Sequence, residues 1–513
     1  MATLYPRHTT AQNFSDATWS IADDDAKDHV APTLGDAIQL TVNSGKVTCD
    51  VPWSADSLDA DVGSAAEWAF SDQSFSVTNN ITLDDITATI DDCVFSCTSL
   101  DIGTDGSLSN NAGGTVSITG DLLLDGGTVT GNSYEMVVTG NAYFSSGTVE
   151  TITLSVSGDY EAVHGVVGAD LVINLTGTGT FKQRSYAYAL KGHPKLICAA
   201  AGKTTTFLST SYLDRITLGP GIATGGASSS LYMRWISGDD CIDQDTVNSL
   251  TVESIYIVNY LTSVNQKAFT VTGCSLLAIH NYNNKPVTFT GSVDVGNAGF
   301  DIEAIANSHV GRAVFSTGSL TCGDITLGKA ASTDRSGNLT LATGSENTIR
   351  SIAGVDATSI DNGITFAGTT TITVAFDTSN IKTVNLNDII TVPTITAEST
   401  ATNNTTLTLT DDTTLIGNLV VNESAGVTTL NTNSKEFTIK GNVTGADTPV
   451  ITALTLRSIG ITNVIEWPAT VSPITELLIG RGTEITSTGG INATKITTHT
   501  ATKAASKGGW IAR

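Results

Sequence analysis

Short runs of alternating apolar and polar residues recur along the chain and predict strands with one buried and one exposed face. Residues 116–119 (Val-Ser-Ile-Thr) and 154–157 (Leu-Ser-Val-Ser) are two examples. Alternation at every second residue is the period of a β-strand, because successive side chains point to opposite faces. Gly-Asp and Gly-Asn pairs separate many of these runs and form turns, since Gly accepts positive φ and Asx side chains bond to their own backbone. We therefore predict an all-β chain with frequent corners.

One phrase, Gly followed by Asp or Asn and then apolar-x-apolar, repeats along the chain. Its first two copies begin at Gly120 and Gly140. Flanking segments match at the same offset as these two copies: 116–121 with 136–141, and 127–129 with 147–149. Further copies begin at Gly158, Gly323, Gly337 and Gly417, with a looser one at Gly441, and 57–59 is echoed two repeats later by 99–101. The chain therefore has a short repeat, of about 20 residues, in the range of solenoid repeats.

This repeat predicts a parallel β-helix, or β-solenoid, with coils of about 20 residues. Short strands that turn a corner and repeat at a fixed period close one coil, and successive coils hydrogen-bond in parallel about 4.8 Å apart. The abundance of Thr, Ser, Asn and Gly, which are poor helix formers, agrees with an all-β fold. The alternative is an antiparallel sandwich or barrel, which would have hairpin turns at spacings of about 8–12 residues and no fixed period.

The repeat is uneven, and we predict five segments from it. Residues 1–40 precede the periodic region and are predicted to form a capping or attachment segment, because an open solenoid end exposes unpaired strand groups. Residues 41–180 form a regular solenoid and 313–500 a second stretch. Residues 181–312 lack the phrase and are either irregular solenoid or an inserted subdomain. Residues 501–513 form a basic tail.

The charge balance restricts the partners that we expect. Asp and Glu number 50 against 25 Lys and Arg, a formal charge of −25. Attachment to nucleic acid depends on Lys and Arg at phosphates, so we expect no nucleic acid partner. No run approaches the ~20 apolar residues that a membrane-spanning helix needs, so we expect no membrane insertion. The first residues lack an apolar run and a small-residue cleavage site, so we expect no secretory signal.

The chain carries no familiar catalytic or metal-binding motif. Seven cysteines are scattered, and only Cys93 and Cys97 lie close together, which is weak evidence for zinc. We interpret them as small buried apolar side chains in a reducing compartment. A nucleotide loop, a His-Glu-x-x-His motif and a calcium-binding repeat are absent from the sequence, and the seven histidines show no metal-ligand spacing. We therefore predict a non-enzymatic chain with no metal and no cofactor.

Paired carboxylates offer the alternative of glycan cleavage. Cleaving a glycosidic bond needs two carboxyl groups about 5–9.5 Å apart, and neighbouring coils of a solenoid can supply that separation. Asp301 and Glu303 share one face of a strand by alternation. The other candidate sets are Asp91 with Asp92, and Asp239 and Asp240 with Asp243.

Basic and aromatic residues cluster in two places and are the predicted partner contacts. In a molecule this acidic, a positive segment with aromatic anchors is suited to docking on a negatively charged neighbour. The predicted contact residues are Lys182, Arg184, Tyr186, Tyr188, Lys191 and Lys195 in the middle of the chain, and Trp510 and Arg513 in the tail.

The opening of the chain resembles the β-solenoid structural proteins of tailed-bacteriophage virions, which include tail fibres, spikes and other virion-surface proteins. The resemblance rests on Trp19, on the pattern from Pro32 to Asp36, on 47–50 (Val-Thr-Cys-Asp), on 57–59 and on the Gly-Asp/Asn coils that follow. It covers residues 14–165 well and the remainder by composition. No functional residues transfer with it.

The resemblance implies a rigid structural or interaction component of a virion that is assembled in the host cytoplasm. Its implied partners are other virion proteins, capsid or tail subunits, or a glycan of the host surface. We expect a homo-oligomer and favour a trimer over single attached copies. Two alternatives remain open: a tailspike-type polysaccharide depolymerase that uses paired carboxylates, and an exported bacterial adhesin, which shares the coil pattern but carries an export signal.

Overall fold

The structure is a computed structural model, and the part of the chain that it describes contains strands and no helix. None of the described residues thus belongs to a helix long and apolar enough to span a bilayer. The described ranges are 3–6, 12–13, 19–20, 36–40, 47–49, 51–71, 73–111, 113–132, 135–163, 170–183, 193–198, 200–226, 228–235, 240–244, 250–259, 263–271, 273–305, 309–329, 335–355, 362–399, 404–423, 429–439, 443–445, 450–458, 463–467, 476–479, 483–487, 492–493, 496–498 and 511–512.

The first half of the chain contributes 28 short strands within the described ranges. They begin with β1 (Thr3–Pro6), β2 (Gln12–Asn13), β3 (Trp19–Ser20), β4 (Ala37–Leu40), β5 (Val47–Cys49), β6 (Trp53–Ala55), β7 (Ser57–Ser71), β8 (Ser74–Val77), β9 (Asn80–Asp91), β10 (Val94–Cys97), β11 (Ser99–Ile102), β12 (Ser107–Asn110), β13 (Thr115–Ile118) and β14 (Leu122–Gly131). They continue with β15 (Glu135–Val138), β16 (Ala142–Glu150), β17 (Thr153–Val156), β18 (Tyr160–Ala162), β19 (Val172–Leu175), β20 (Gly179–Gln183), β21 (Lys195–Cys198), β22 (Thr204–Phe207), β23 (Ser211–Leu213), β24 (Arg215–Leu218), β25 (Ile222–Gly225), β26 (Ser230–Trp235), β27 (Ile242–Gln244) and β28 (Leu250–Thr251).

The second half adds 24 described strands. They begin with β29 (Ser254–Asn259), β30 (Val264–Gln266), β31 (Phe269–Thr270), β32 (Leu276–Asn281), β33 (Val287–Phe289), β34 (Val293–Asp294), β35 (Gly299–Ala304), β36 (His309–Phe315), β37 (Leu320–Leu327), β38 (Arg335–Thr340), β39 (Glu346–Gly354) and β40 (Gly363–Thr365). They continue with β41 (Thr369–Asp377), β42 (Thr383–Ser399), β43 (Thr406–Glu423), β44 (Thr429–Ile439), β45 (Val443–Gly445), β46 (Val450–Ser458), β47 (Asn463–Trp467), β48 (Glu476–Ile479), β49 (Thr483–Ser487), β50 (Asn492–Ala493), β51 (Ile496–Thr498) and β52 (Ile511–Ala512).

The chain divides into two compact units. The first contains Met1–Arg234 and Asp243–Glu253, and the second contains Trp235–Ile242 and Ser254–Arg513. The fivefold division from the sequence stays a prediction.

In the first unit, parallel strands stack into the predicted β-solenoid. One coil runs through β10, β11 and β12, and β13 then lies beside β10 in parallel, with Thr115 opposite Val94. The predicted register is confirmed where the repeat is clearest, because Val116 pairs with Met136. The echo between 57–59 and 99–101 spans two coils, since Leu58 pairs with Ile81 and Ile81 with Leu100. The fold class is therefore a parallel β-helix, with about 22 residues per turn.

The repeated Gly-Asp/Asn phrase forms a ladder of hydrogen bonds along one corner of the coils. The backbone N–H of Asn141 donates to Asp121 Oδ1 at 2.8 Å. One coil further on, the N–H of Asp159 donates to Asn141 Oδ1 at 2.8 Å. Gly140 N–H donates to the Gly120 carbonyl at 3.0 Å. A Cβ at Gly140 would lie 2.4 Å from that oxygen, so the close stacking of corners requires glycine here.

The core inside the coils is filled by inward residues of each strand, and aromatic rings stack along it. In the first unit, Phe144, Tyr160, Phe181 and Phe207 follow one another at ring-centroid distances of 5.5, 5.2 and 5.8 Å. These four rings are almost fully buried. The Tyr160 hydroxyl donates to Gln183 Oε1 at 3.0 Å, which satisfies the one polar atom of the stack.

In the second unit the coils also stack in parallel, but their lengths vary more. Leu277 pairs with Phe300, Phe300 with Ile325, and Ile325 with Ile352, so the separation along the chain grows at each step. The copies of the phrase at Gly323 and Gly337 lie in β37 and β38, which belong to different faces of the solenoid. The regular spacing expected from the sequence therefore describes the first unit better than the second.

The buried cysteines are confirmed as small apolar side chains. Cys93, Cys97, Cys198, Cys241 and Cys322 are buried thiols, and Cys274 is a half-buried thiol. Burial raises the pKa of Cys93 to about 11 and that of Cys97 to about 12, so both thiols stay protonated at neutral pH. Within the described ranges, no group of three or more His, Cys, Asp or Glu side chains is arranged to hold a metal ion.

Adjacent leucines in β14 provide a matched test of the coil. Leu124 is 1% exposed and Leu123 is 39% exposed. We expect Leu124→Ala to lower the free energy of unfolding of the first unit by about 2–5 kcal/mol, because it leaves a cavity in the core. Leu123→Ala should change it by no more than about 0.5 kcal/mol. Urea denaturation followed by circular dichroism measures both, and equal losses would contradict the inward and outward assignment.

Candidate functional site

The first carboxylate candidate, Asp91 with Asp92, lies at a corner. Asp91 ends β9, and Asp92 follows it with a left-handed backbone conformation (φ 47°). Asp tolerates this conformation better than most residues, because its short side chain bonds locally. Asp92 is exposed and Asp91 is half-buried. This pair therefore forms a turn between two faces of the solenoid.

In the second candidate set, the described carboxylates pair with different basic side chains. Asp240 is 5% exposed at its side chain, where Oδ2 lies 2.7 Å from Lys267 Nζ and Oδ1 accepts the Lys267 backbone N–H at 2.7 Å. Asp243 Oδ2 lies 2.6 Å from Nη2 of Arg215. Asp239 is outside the described residues. Each described carboxylate thus has its own basic partner.

The third candidate, Asp301 with Glu303, is brought to one outward face of β35, as the alternation predicted. Glu303 pairs in register with His280 on β32, and its Oε1 lies 3.0 Å from His280 Nε2. Lys329 Nζ approaches the same oxygen at 3.3 Å. The Tyr256 ring lies against the imidazole, with centroids 4.9 Å apart. Four successive coils therefore contribute to one polar cluster on the outside of the sheet.

The two carboxyl groups of this cluster have pKa values shifted in opposite directions. Burial raises the pKa of Asp301, and the nearby charge of Glu303 adds to the effect. Burial also acts to raise the pKa of Glu303, but the hydrogen bond and charge of His280, together with Lys329, outweigh it and lower that pKa. Such a split favours a proton on Asp301 and a charge on Glu303.

Of the predicted basic contacts, only Lys182 and Lys195 lie within the described residues. Lys182 on β20 forms an ion pair with Glu161, its register partner on β18. Lys195 Nζ lies 3.6 Å from Asp170 Oδ1, and both side chains are largely exposed. The remaining predicted contacts lie outside the described residues: Arg184, Tyr186, Tyr188, Lys191, Trp510 and Arg513.

A groove on the outer face of the second unit is a site that the sequence analysis missed. We call it the lateral groove. It lies across β36, β38, β40 and β42, four neighbouring strands of successive coils, and has a volume of about 550 Å³. Two rows of outward-facing residues cross these strands in register. The first row consists of Arg312, Asn338, Gly363 and Thr383. The second row consists of Val314, Thr340, Thr365 and Asn385.

The floor of the lateral groove depends on one glycine. Gly363 lies between Asn338 and Thr383 in the first row, and a Cβ there would lie 2.7 Å from Asn338 Oδ1. Asn338 Oδ1 is buried and has no hydrogen-bond partner among the described residues. In the second row, Asn385 Nδ2 donates to Thr365 Oγ1 at 3.0 Å. Arg312 and Lys382 add positive charge to the lining.

Comparison with protein-family models, curated proteins and solved structures finds no match.

The two outer sites differ in the chemistry that they offer. The Asp301–Glu303 cluster places two carboxyl groups with oppositely shifted pKa values on one strand face, and carboxyl groups are among the groups of acid–base chemistry. The lateral groove offers hydroxyl groups, amides and two cations, which suit binding. Sequence spacing alone could indicate the shared face of Asp301 and Glu303, but the groove rows join residues a whole coil apart with no common motif.

The opposite pKa shifts predict opposite pH effects for two neutral variants. A carboxyl group with a raised folded pKa stabilises the fold most below its unfolded pKa, about 3.9 for Asp, and this contribution is lost as pH rises. We therefore expect Asp301→Asn to have a higher melting temperature than the parent protein between pH 4 and pH 6. A lowered pKa acts in reverse, so Glu303→Gln should be less stable at pH 6, by about 1–3 kcal/mol, and the deficit should shrink below about pH 4.

Scanning calorimetry at pH 3.5, 4, 5 and 6 measures these differences. Asp377→Asn is the matched control, because Asp377 is exposed on the same unit. If the melting temperatures of all three variants change with pH in the same way, the opposite pKa shifts of Asp301 and Glu303 are contradicted.

Proposed function

We propose that the chain is a non-enzymatic structural component of a tailed-bacteriophage virion, as a tail fibre, spike or surface-decorating protein. It would provide a rigid β-solenoid for assembly or host attachment, as an oligomer with three copies favoured. The observation that carries this proposal is the stacking of parallel coils in both units, each coil joined to the next by backbone and corner hydrogen bonds. The phage setting itself comes from the resemblance of the sequence.

The ladder of hydrogen bonds supports a mechanical role. Every strand in the middle of a stack is paired on both sides, as β14 is paired with β11 and β16. Bending such a stack would stretch several parallel strand pairs at once, and the interior is filled by aromatic and aliphatic side chains. A stiff unit of this kind holds surface groups at fixed positions.

Ion pairs between neighbouring coils support the same mechanical role. Lys182 with Glu161, Lys267 with Asp240, and Arg350 with Asp324 are ion pairs between residues about one coil apart. These pairs join neighbouring coils, so much of the charge chemistry in the described residues serves stacking. Surface ion pairs contribute little each, about 0–1 kcal/mol, and these three join residues of adjacent coils.

Mass spectrometry of purified phage particles tests the proposal. We expect peptides of this chain in particles banded on a density gradient, at a constant ratio to a known tail or capsid subunit. Particles from a phage with the gene deleted are the matched control and should lack those peptides. Recovery of the chain only in the unsedimented lysate would overturn the proposal.

The second candidate function is a polysaccharide depolymerase of the tailspike type. The observation that favours it is the Asp301–Glu303 cluster, because two carboxyl groups with oppositely shifted pKa values match the acid and base roles of glycan cleavage. In that function, Asp301 would supply a proton to the leaving oxygen and Glu303 would act as the base or nucleophile.

Release of reducing ends from host surface polysaccharide tests this second function. If the cluster is catalytic, Asp301→Asn and Glu303→Gln should each lower the rate at least about 100-fold, while Asp377→Asn keeps it. No release by the parent protein, or unchanged rates in both cluster variants, would exclude the cluster as a catalytic site.

A further inference from the structure

We propose that the lateral groove binds an acidic oligosaccharide, that is, a chain of sugar units carrying carboxylate or sulfate groups. This inference rests on the proposed attachment function for its biological setting, and it adds the place and the ligand class. It makes no use of the Asp301–Glu303 cluster.

The dimensions of the groove suit an extended ligand. Its volume of about 550 Å³ lies within the ~300–1,000 Å³ typical of ligand sites. Four neighbouring strands at about 4.8 Å spacing give a length of roughly 14 Å along the stacking direction. A single small anion would fill little of this space, whereas a chain of several sugar rings would contact successive coils.

The charge of the described groove lining selects an anion. Arg312 and Lys382 belong to this lining, and none of its described residues carries a carboxylate. This is unusual in a chain with twice as many acidic as basic residues. Positive charge in a concave site on an acidic protein attracts an anionic ligand locally, while the rest of the surface repels one. Arg312 can bind a carboxylate or sulfate group through two parallel N–H bonds.

The hydrogen-bonding groups of the groove select a ligand with many hydroxyl groups. Its polar lining consists of hydroxyl and amide side chains: Asn338, Thr340, Thr365, Thr383 and Asn385. Each of these side chains can both donate and accept, as sugar hydroxyl groups do. The described residues that line the groove include no aromatic side chain, and this disfavours single-stranded nucleic acid, whose bases stack on aromatic rings.

The floor of the groove shows why the space exists. Gly363 leaves open the place where any other residue would put a Cβ beside Asn338 Oδ1. That oxygen lacks a donor among the described residues, and a buried acceptor without a donor is costly. A small rotation of the amide toward the space above Gly363 would let a sugar hydroxyl supply the missing hydrogen bond.

Binding to an array of acidic and neutral oligosaccharides tests the inference, with titration calorimetry of tetragalacturonate as the quantitative probe. We expect acidic members to bind and neutral members of equal length to bind at least about tenfold more weakly. The Arg312→Gln/Lys382→Gln double variant should lose at least tenfold in affinity for the acidic ligand. The matched control, Arg350→Gln/Lys285→Gln, removes the same charge elsewhere on the unit and should keep the affinity.

A second pair of variants separates the effect of the groove's shape on binding from the effect of its charge. Gly363→Ala should weaken binding at least fivefold, because its Cβ enters the floor of the groove. Gly299→Ala is its control, since the nearest atom to a Cβ there lies at an ordinary contact distance of 3.4 Å. Melting temperatures of both variants show whether the fold is retained.

Three results would overturn the inference: no acidic oligosaccharide binding by the parent protein, equal binding of neutral and acidic members, or equal loss in the groove and control double variants. Binding that persists in a chain missing from purified particles would overturn the virion proposal and leave the groove assignment intact. If purified particles contain the chain but the chain binds no oligosaccharide, the groove assignment is overturned and the virion proposal stands.

Discussion

The parallel register between successive coils is the constraint on which the rest of the structure depends. Each residue lies on its counterpart one coil earlier, and the Asp121, Asn141 and Asp159 corner makes this visible. A slip by one residue would turn every inward side chain outward, so the cost of a wrong register is shared along the whole strand. The short side chains of Asp and Asn lock the corner, because each accepts an N–H from the coil above.

The same register decides where polar chemistry is found. Glu303 meets His280 and Lys329 because these residues occupy neighbouring coils, and the two rows of the lateral groove exist for the same reason. A site on such a surface receives one or two residues from each coil. Its groups are therefore held by strands that are already paired on both sides, which keeps them in place before any ligand arrives.

The sequence was most informative where the repeat was regular. The match between 116–121 and 136–141 predicted the pairing of Val116 with Met136, since glycine and Asx residues fix the corner there. In the second unit the coil length changes from one turn to the next, so no single period could place Arg312 beside Asn338. Alternation sufficed to put Asp301 and Glu303 on one face. His280 and Lys329, the partners of Glu303, come from other coils, and the local sequence around Glu303 does not indicate which residues of those coils lie beside it.

Unequal coil lengths within one stack have an evolutionary consequence. Coils in the second unit differ by several residues, yet their strands still pair in parallel, and the extra residues lie between the paired segments, at corners and at register shifts. Duplication or loss of a whole coil therefore preserves the cross-section on either side of the change and alters the reach of the unit by about 4.8 Å. A lineage can in this way change the distance between the lateral groove and an end of its unit without redesigning the groove itself.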